Sequence, residues 1–98
     1  ARLAADYGRA AAEAAAFAKE QGDAYSPGNA FDLGDWAVTL IGARWAAEAA
    51  AIAGILESWA FGAKSLDALP AVPFGSLRPG RLPSAAQRLE VRRFVDSV

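Results

Sequence analysis

Apolar positions recur at three- and four-residue spacing along two stretches of the chain, so the pattern predicts an all-α protein. The longer stretch runs from Trp36 to Lys64. Along it Val38, Ile41, Trp45, Ile52, Ile55, Leu56 and Trp59 form a bulky stripe. Small residues, Gly42, Ala46, Ala50, Gly54, Ser58 and Gly62, return every fourth position on another side. Such a ladder lets a second helix approach to backbone contact. A rod with one smooth face and one knobbed face expects neighbours on both. The pattern places this long central helix at about 36–63.

Residues 1–21 read as a shorter amphipathic helix, with Leu3, Tyr7, Ala10, Ala14 and Phe17 as its apolar stripe and Arg9 and Glu13 one turn apart on another face. Gly22 is expected to end it as a left-handed C-cap. Residues 22–35 form a loop, in which Ser26-Pro27-Gly28-Asn29 is a strong turn signal and Asp32 or Asp35 caps the helix that follows. Beyond Lys64 the prolines at 70, 73, 79 and 83 forbid regular helix. The segment 65–83 is therefore an extended Pro-rich arm, and its Val72, Phe74, Leu77 and Leu82 suit it to lie along a partner. Ser84 can cap a short terminal helix within 84–98.

Composition changes this picture in one respect. Hydrophobic residues make up 54% of the 98, but about a quarter of the chain is alanine, which brings little area to a core. The self-made core is expected to be thin. The formal net charge of −1 gives no field for nucleic acid. Cysteine and histidine are both absent, which removes disulfides, thiolate and imidazole metal sites and the commonest general base. The three aspartates of the 22–35 loop lack the spacing of a calcium loop. No phosphate-binding loop, dinucleotide fingerprint or nucleophile elbow occurs, so no enzymatic activity is expected. Glu48 and Glu57 fall on nearly opposite helix faces and cannot act as a carboxylate pair.

The central helix raises the question of a membrane. Trp36 and Trp59 are separated by roughly 35 Å along a helix, close to the thickness of a hydrocarbon core with its interfaces. With Lys64 they are candidate interface anchors for a single transmembrane span. Arg44, Glu48 and Glu57 oppose insertion, each costing on the order of 2.5–3.5 kcal/mol at mid-bilayer. Arg44 and Glu48 can neutralise one another one turn apart, and partner subunits can accept the rest. Residues 1–35 carry three basic and six acidic side chains, whereas the C-terminal arm is rich in arginine. A spanning helix would thus place that arm on the stromal, matrix or cytoplasmic side of a thylakoid, inner mitochondrial or bacterial inner membrane. The start at Ala1 fits either a cleaved targeting segment or removal of an initiator methionine.

The tetrapeptide Ala43-Arg44-Trp45-Ala46 resembles the core of the first helix of light-harvesting chlorophyll-binding proteins. In that family a glutamate four residues before the alanine ligates pigment; here that position is Thr39. The resemblance implies a photosynthetic setting and transfers no ligand. No cofactor is required by the sequence. Chlorophyll-type pigment or lipid contact is left open, with Glu48 the candidate for a pigment or proton-relay role.

The reading that follows is a small, non-catalytic accessory subunit of a photosynthetic or respiratory membrane complex, held to larger subunits through the central helix and the C-terminal arm. The alternative is a soluble alanine-rich helical hairpin, residues 1–21 packed antiparallel on the central helix, that dimerises through its leftover apolar surface or serves as the scaffold chain of a hetero-oligomeric enzyme.

Overall fold

The computed structural model describes the backbone of residues 2–52 and 71–98 and the side chains of 7–48 and 71–98. Among these residues the chain is all-helical: α1 (Arg2–Tyr25), α2 (Leu33–Ile52) and α3 (Ala85–Ser97). No described helix is long and apolar enough to cross a membrane. The expected span therefore has no support there, and its outer half, including Gly54, Ser58, Trp59, Gly62 and Lys64, lies outside the described residues.

α1 does not stop at Gly22. It runs one turn further because Ala24 is 2% exposed and anchors that turn in the core, while Gly22 keeps an ordinary helical φ. The break comes at the turn sequence instead. Ser26 donates its hydroxyl to the Gly22 carbonyl at 2.9 Å and so satisfies one of the acceptors freed at the helix end. Pro27 has no N–H to give, Gly28 takes φ +79°, and the Asn29 N–H closes the turn on the Ser26 carbonyl at 3.1 Å.

α2 starts three residues before Trp36. Asp32 is its cap: Oδ1 accepts the Asp35 N–H at 3.0 Å, which leaves Asp35 in the first turn beside the positive end of the helix dipole. The earlier start turns Leu33, Trp36, Ala37, Leu40 and Ile41 inward. Trp36, expected as an interface anchor, is instead 7% exposed and packs within the core of this chain.

The described part of the Pro-rich arm is laid against this chain. Residues 71–84 run as an extended strap across the α1–α2 connection. The Leu33 N–H donates to Gly75 O (3.1 Å), the Leu77 N–H to Phe31 O (2.8 Å) and the Gly80 N–H to Ala24 O (2.7 Å), around an isolated antiparallel bridge between Asp32 and Ser76. The reason is mutual need, since both segments are non-helical and both hold backbone groups that helices would have satisfied internally. The strap comes so close that a Cβ on Gly34 would stand 2.7 Å from the Phe74 carbonyl oxygen. Gly34→Ala should therefore cost about 1–3 kcal/mol by forcing backbone from backbone, read as a lower urea midpoint at unchanged slope.

The core is one cluster of Ala16, Ala24, Phe31, Leu33, Trp36, Ala37, Leu40, Ile41, Val91 and Val95, with Phe17, Trp45, Val72, Phe74 and Phe94 packed on it. At its centre Phe17, Phe31 and Trp36 meet edge to face with centroids 5.4–5.6 Å apart. Each such pair contributes about 0.5–1.5 kcal/mol beyond its buried area. A second edge-to-face pair, Phe74 and Phe94, joins the strap to α3 at 5.6 Å. Three aromatics thus supply the bulk that alanine withholds.

α3 is capped as its sequence implies. Ser84 Oγ accepts the Gln87 N–H at 3.1 Å and Gln87 Oε1 accepts the Ser84 N–H at 2.8 Å, a complete capping box. Val91 and Val95 are fully buried against α2, and the helix is gripped at three further points. The Arg92 guanidinium donates to Glu13 on α1 at 2.6 Å, the Arg88 guanidinium stacks 4.5 Å from the centre of the Phe17 ring, and Arg44 of α2 donates to the carbonyls of Val95 and Val98. The expected ion pair of Arg44 with Glu48 is present at 3.5 Å, but the principal acceptors of Arg44 are the carbonyls at the end of α3. α3 is an integral part of the fold.

Candidate functional site

Beside the α1–α2 connection lies an open cleft of about 370 Å³, lined among others by Glu20, Asp23, Asn29, Asp32, Asp35 and Ser76. Three of its four carboxylates, those of Glu20, Asp23 and Asp32, are already engaged. Glu20, only 3% exposed, accepts the Asp32 N–H at 3.3 Å and the Lys19 ammonium at 3.4 Å. Asp32 accepts the Asp35 N–H on one oxygen and the Ser76 hydroxyl at 3.2 Å on the other. The exposed Lys19 also reaches Asp23 at 3.6 Å; its pKa is raised, first by the hydrogen bond to Glu20 and then by the charges of Glu20 and Asp23. Among the described residues no three acidic side chains converge as a metal ion needs. The cleft is a polar knot that ties α1 to the start of α2.

The unusual surface is the outer side of α1. At 100° per residue, Ala16, Glu20 and Ala24 mark the side turned to the core, and all three are buried. Arg9, Glu13 and Phe17 flank them, half-buried. Arg9 Nε donates to Glu13 at 3.0 Å, and Glu13 is the carboxylate that also holds Arg92. The charges of this helix thus lie mainly on its inner side and margins. Directly opposite, Tyr7, Ala11, Ala14, Ala18, Gly22 and Tyr25 line up at three- and four-residue spacing, and every one is exposed. Tyr7 is 77% exposed and Tyr25 65%. A surface helix ordinarily carries its charges outward; the outer line of α1 carries none, with the exposed Lys19 at its margin.

This overturns the sequence-based stripe on α1. Tyr7, Ala10 and Ala14 face outward, and only Phe17 of that set packs on the core; the side chain of Leu3 is outside the described residues. A legible signal pointed the other way, since Ala16, Glu20 and Ala24 also repeat every four residues. A glutamate in that series argued against burial.

Of the small-residue ladder on α2, Gly42 and Ala46 are half-buried; the side chain of Ala50 is outside the described residues. Val38 is half-buried and Ile41 fully buried, so the knobbed stripe begins on the inner side. Glu48 lies at the surface with its side chain 49% exposed, facing Arg44.

No family model, curated protein or solved structure matches this chain. The reading of its function rests on its own geometry.

Proposed function

We propose that this chain is a non-catalytic helical docking module, a small protein that works by presenting one face of a helix to another helix. The observation that carries the reading is the uncharged, exposed outer face of α1. Ordinary solvent-facing helices carry Lys, Glu and Arg outward; this one spends its charges inward, on Glu20, Glu13 and Arg9, and turns alanine, glycine and two exposed tyrosines to the outside. A contiguous apolar patch on a small protein marks an interaction surface. Alanine and glycine set a close interhelical approach, and tyrosine brings large contact area at low entropic cost.

The polar cleft supports the same reading, because its Glu20 and Asp32 carboxylates are held in place by hydrogen bonds that serve the loop. The narrower version, an accessory subunit in an energy-converting membrane with pigment or lipid contact, rests mainly on residues 53–64, which are outside the described residues. The hairpin version draws on α1 and α2, which fold back on one another around Phe17, Phe31 and Trp36.

Size measurement in native extract tests the docking role. The chain should migrate well above its own 10.2 kDa, and the double variant Ala14→Glu/Ala18→Glu should fall back to that mass with unchanged helix content. Migration of the unaltered chain at its own mass would refute a docking role.

A further inference from the structure

The reading of α1 as a docking face leaves open what occupies it, and the inference here rests on that reading. We propose that the occupant is a second copy of this chain, with the two α1 helices antiparallel and a two-fold axis passing between Ala14 and Ala15.

A two-fold interface requires a surface complementary to itself. The outer face of α1 meets that requirement in one antiparallel register. With residues i and 29 − i opposed, Tyr7 of each copy lies over Gly22 of the other and Ala11 lies over Ala18. The large residue at one end thus finds the smallest at the other. Space for it exists, since a Cβ built at Gly22 meets nothing within 4 Å. Tyr25 then extends beyond Gly22 along the first turn of the opposing helix.

Charge agrees with pairing of like with like. A charged face would repel its own copy, whereas the six residues named for this face carry no charge. Lys19 sits at the margin and is occupied by Glu20 and Asp23 of its own helix. A basic or acidic partner finds no counter-charge in this surface.

The area is adequate and no more. A 24-residue helix is roughly 36 Å long, and two paired along that length bury on the order of 1,000 Å² in total. That is the lower edge of what a stable specific interface needs, so the dimer should be reversible and concentration-dependent.

The test uses the purified full chain. Sedimentation equilibrium over a range of concentrations should show the mass rising from 10.2 kDa toward twice that value. Ala18→Glu should weaken association at least ten-fold with the same circular dichroism. Ala12→Glu, exposed but off the face, should leave association unchanged. The chain has no cysteine of its own, so single cysteines report geometry cleanly. Ala14→Cys beside the axis should form a disulfide with its own copy under mild oxidation. Tyr7→Cys should not, because the two sulfurs would be roughly 22 Å apart along the helices. Ready cross-linking of Tyr7→Cys, whether or not Ala14→Cys also cross-links, would mean parallel pairing and overturn the proposal, as would a monomer at every concentration. A purified monomer that still migrates in a larger, face-dependent assembly in extract would remove the second copy and leave the docking role; a monomer in both settings would remove both.

Discussion

Truncating Phe31 to alanine should lower the stability of the folded chain by about 3–5 kcal/mol, the range for removing a large aromatic from a filled core. Phe31 is fully buried between Phe17 and Trp36, and its ring closes the gap between α1 and α2. Its carbonyl also receives the Leu77 N–H, so the collapse that follows truncation disturbs the strap as well. Small domains have only about 5–15 kcal/mol in total, and this core holds few side chains of comparable bulk. Urea titration followed by tryptophan fluorescence should show the midpoint falling far enough for a substantial unfolded fraction in buffer. Phe31→Leu, which keeps most of the volume, should lose much less. Equal, small losses for both would mean that the aromatic cluster does not hold the hairpin together.

Arg44→Ala should cost about 2–3 kcal/mol, most of it from carbonyl groups left without a donor at the end of α3. The forked guanidinium reaches Val95 and Val98 at once, and its side chain is only 12% exposed. Arg44→Lys should recover only part of the loss, because a single ammonium cannot span both oxygens with the same geometry. Glu48→Gln should cost less than about 0.5 kcal/mol, since the carboxylate is half exposed and the pair is loose at 3.5 Å. Chemical denaturation of the three variants decides between the partners. A Glu48→Gln loss as large as that of Arg44→Ala would restore the ion pair as the main role of Arg44.

Local signals in the sequence were read well where the chemistry is local. Ser84 as the cap of the last helix, an aspartate at 32 or 35 as the cap of α2, and Ser26-Pro27-Gly28-Asn29 as a turn each depend on neighbours only a few bonds away. What could not be read was set by residues far apart. Gly22 looked like a stop because the burial of Ala24 two positions later depends on tertiary packing. Trp36 fitted a membrane boundary by its spacing from Trp59, and only the aromatic rings of Phe17 and Phe31 decide that it belongs inside. The arm was legible as extended, but its acceptors at Ala24 and Phe31 and its donor at Leu33 come from the other half of the chain. The outer face of α1 was visible as a stripe and assigned the wrong side, since alanine is accepted equally in a core and on a surface.

The strap has a consequence for how the molecule is made. Gly80 closes on Ala24 and Arg44 closes on Val98 across more than fifty residues, so the finished architecture depends on contacts between its early and late segments. A helical hairpin of ordinary design matures as it emerges during synthesis and does so quickly, because its contacts are near in sequence. Here the aromatic centre stays uncovered on the nascent polypeptide until Phe74, Val91 and Val95 arrive. Its folding should be slower than helix content alone suggests, with a late, all-at-once step.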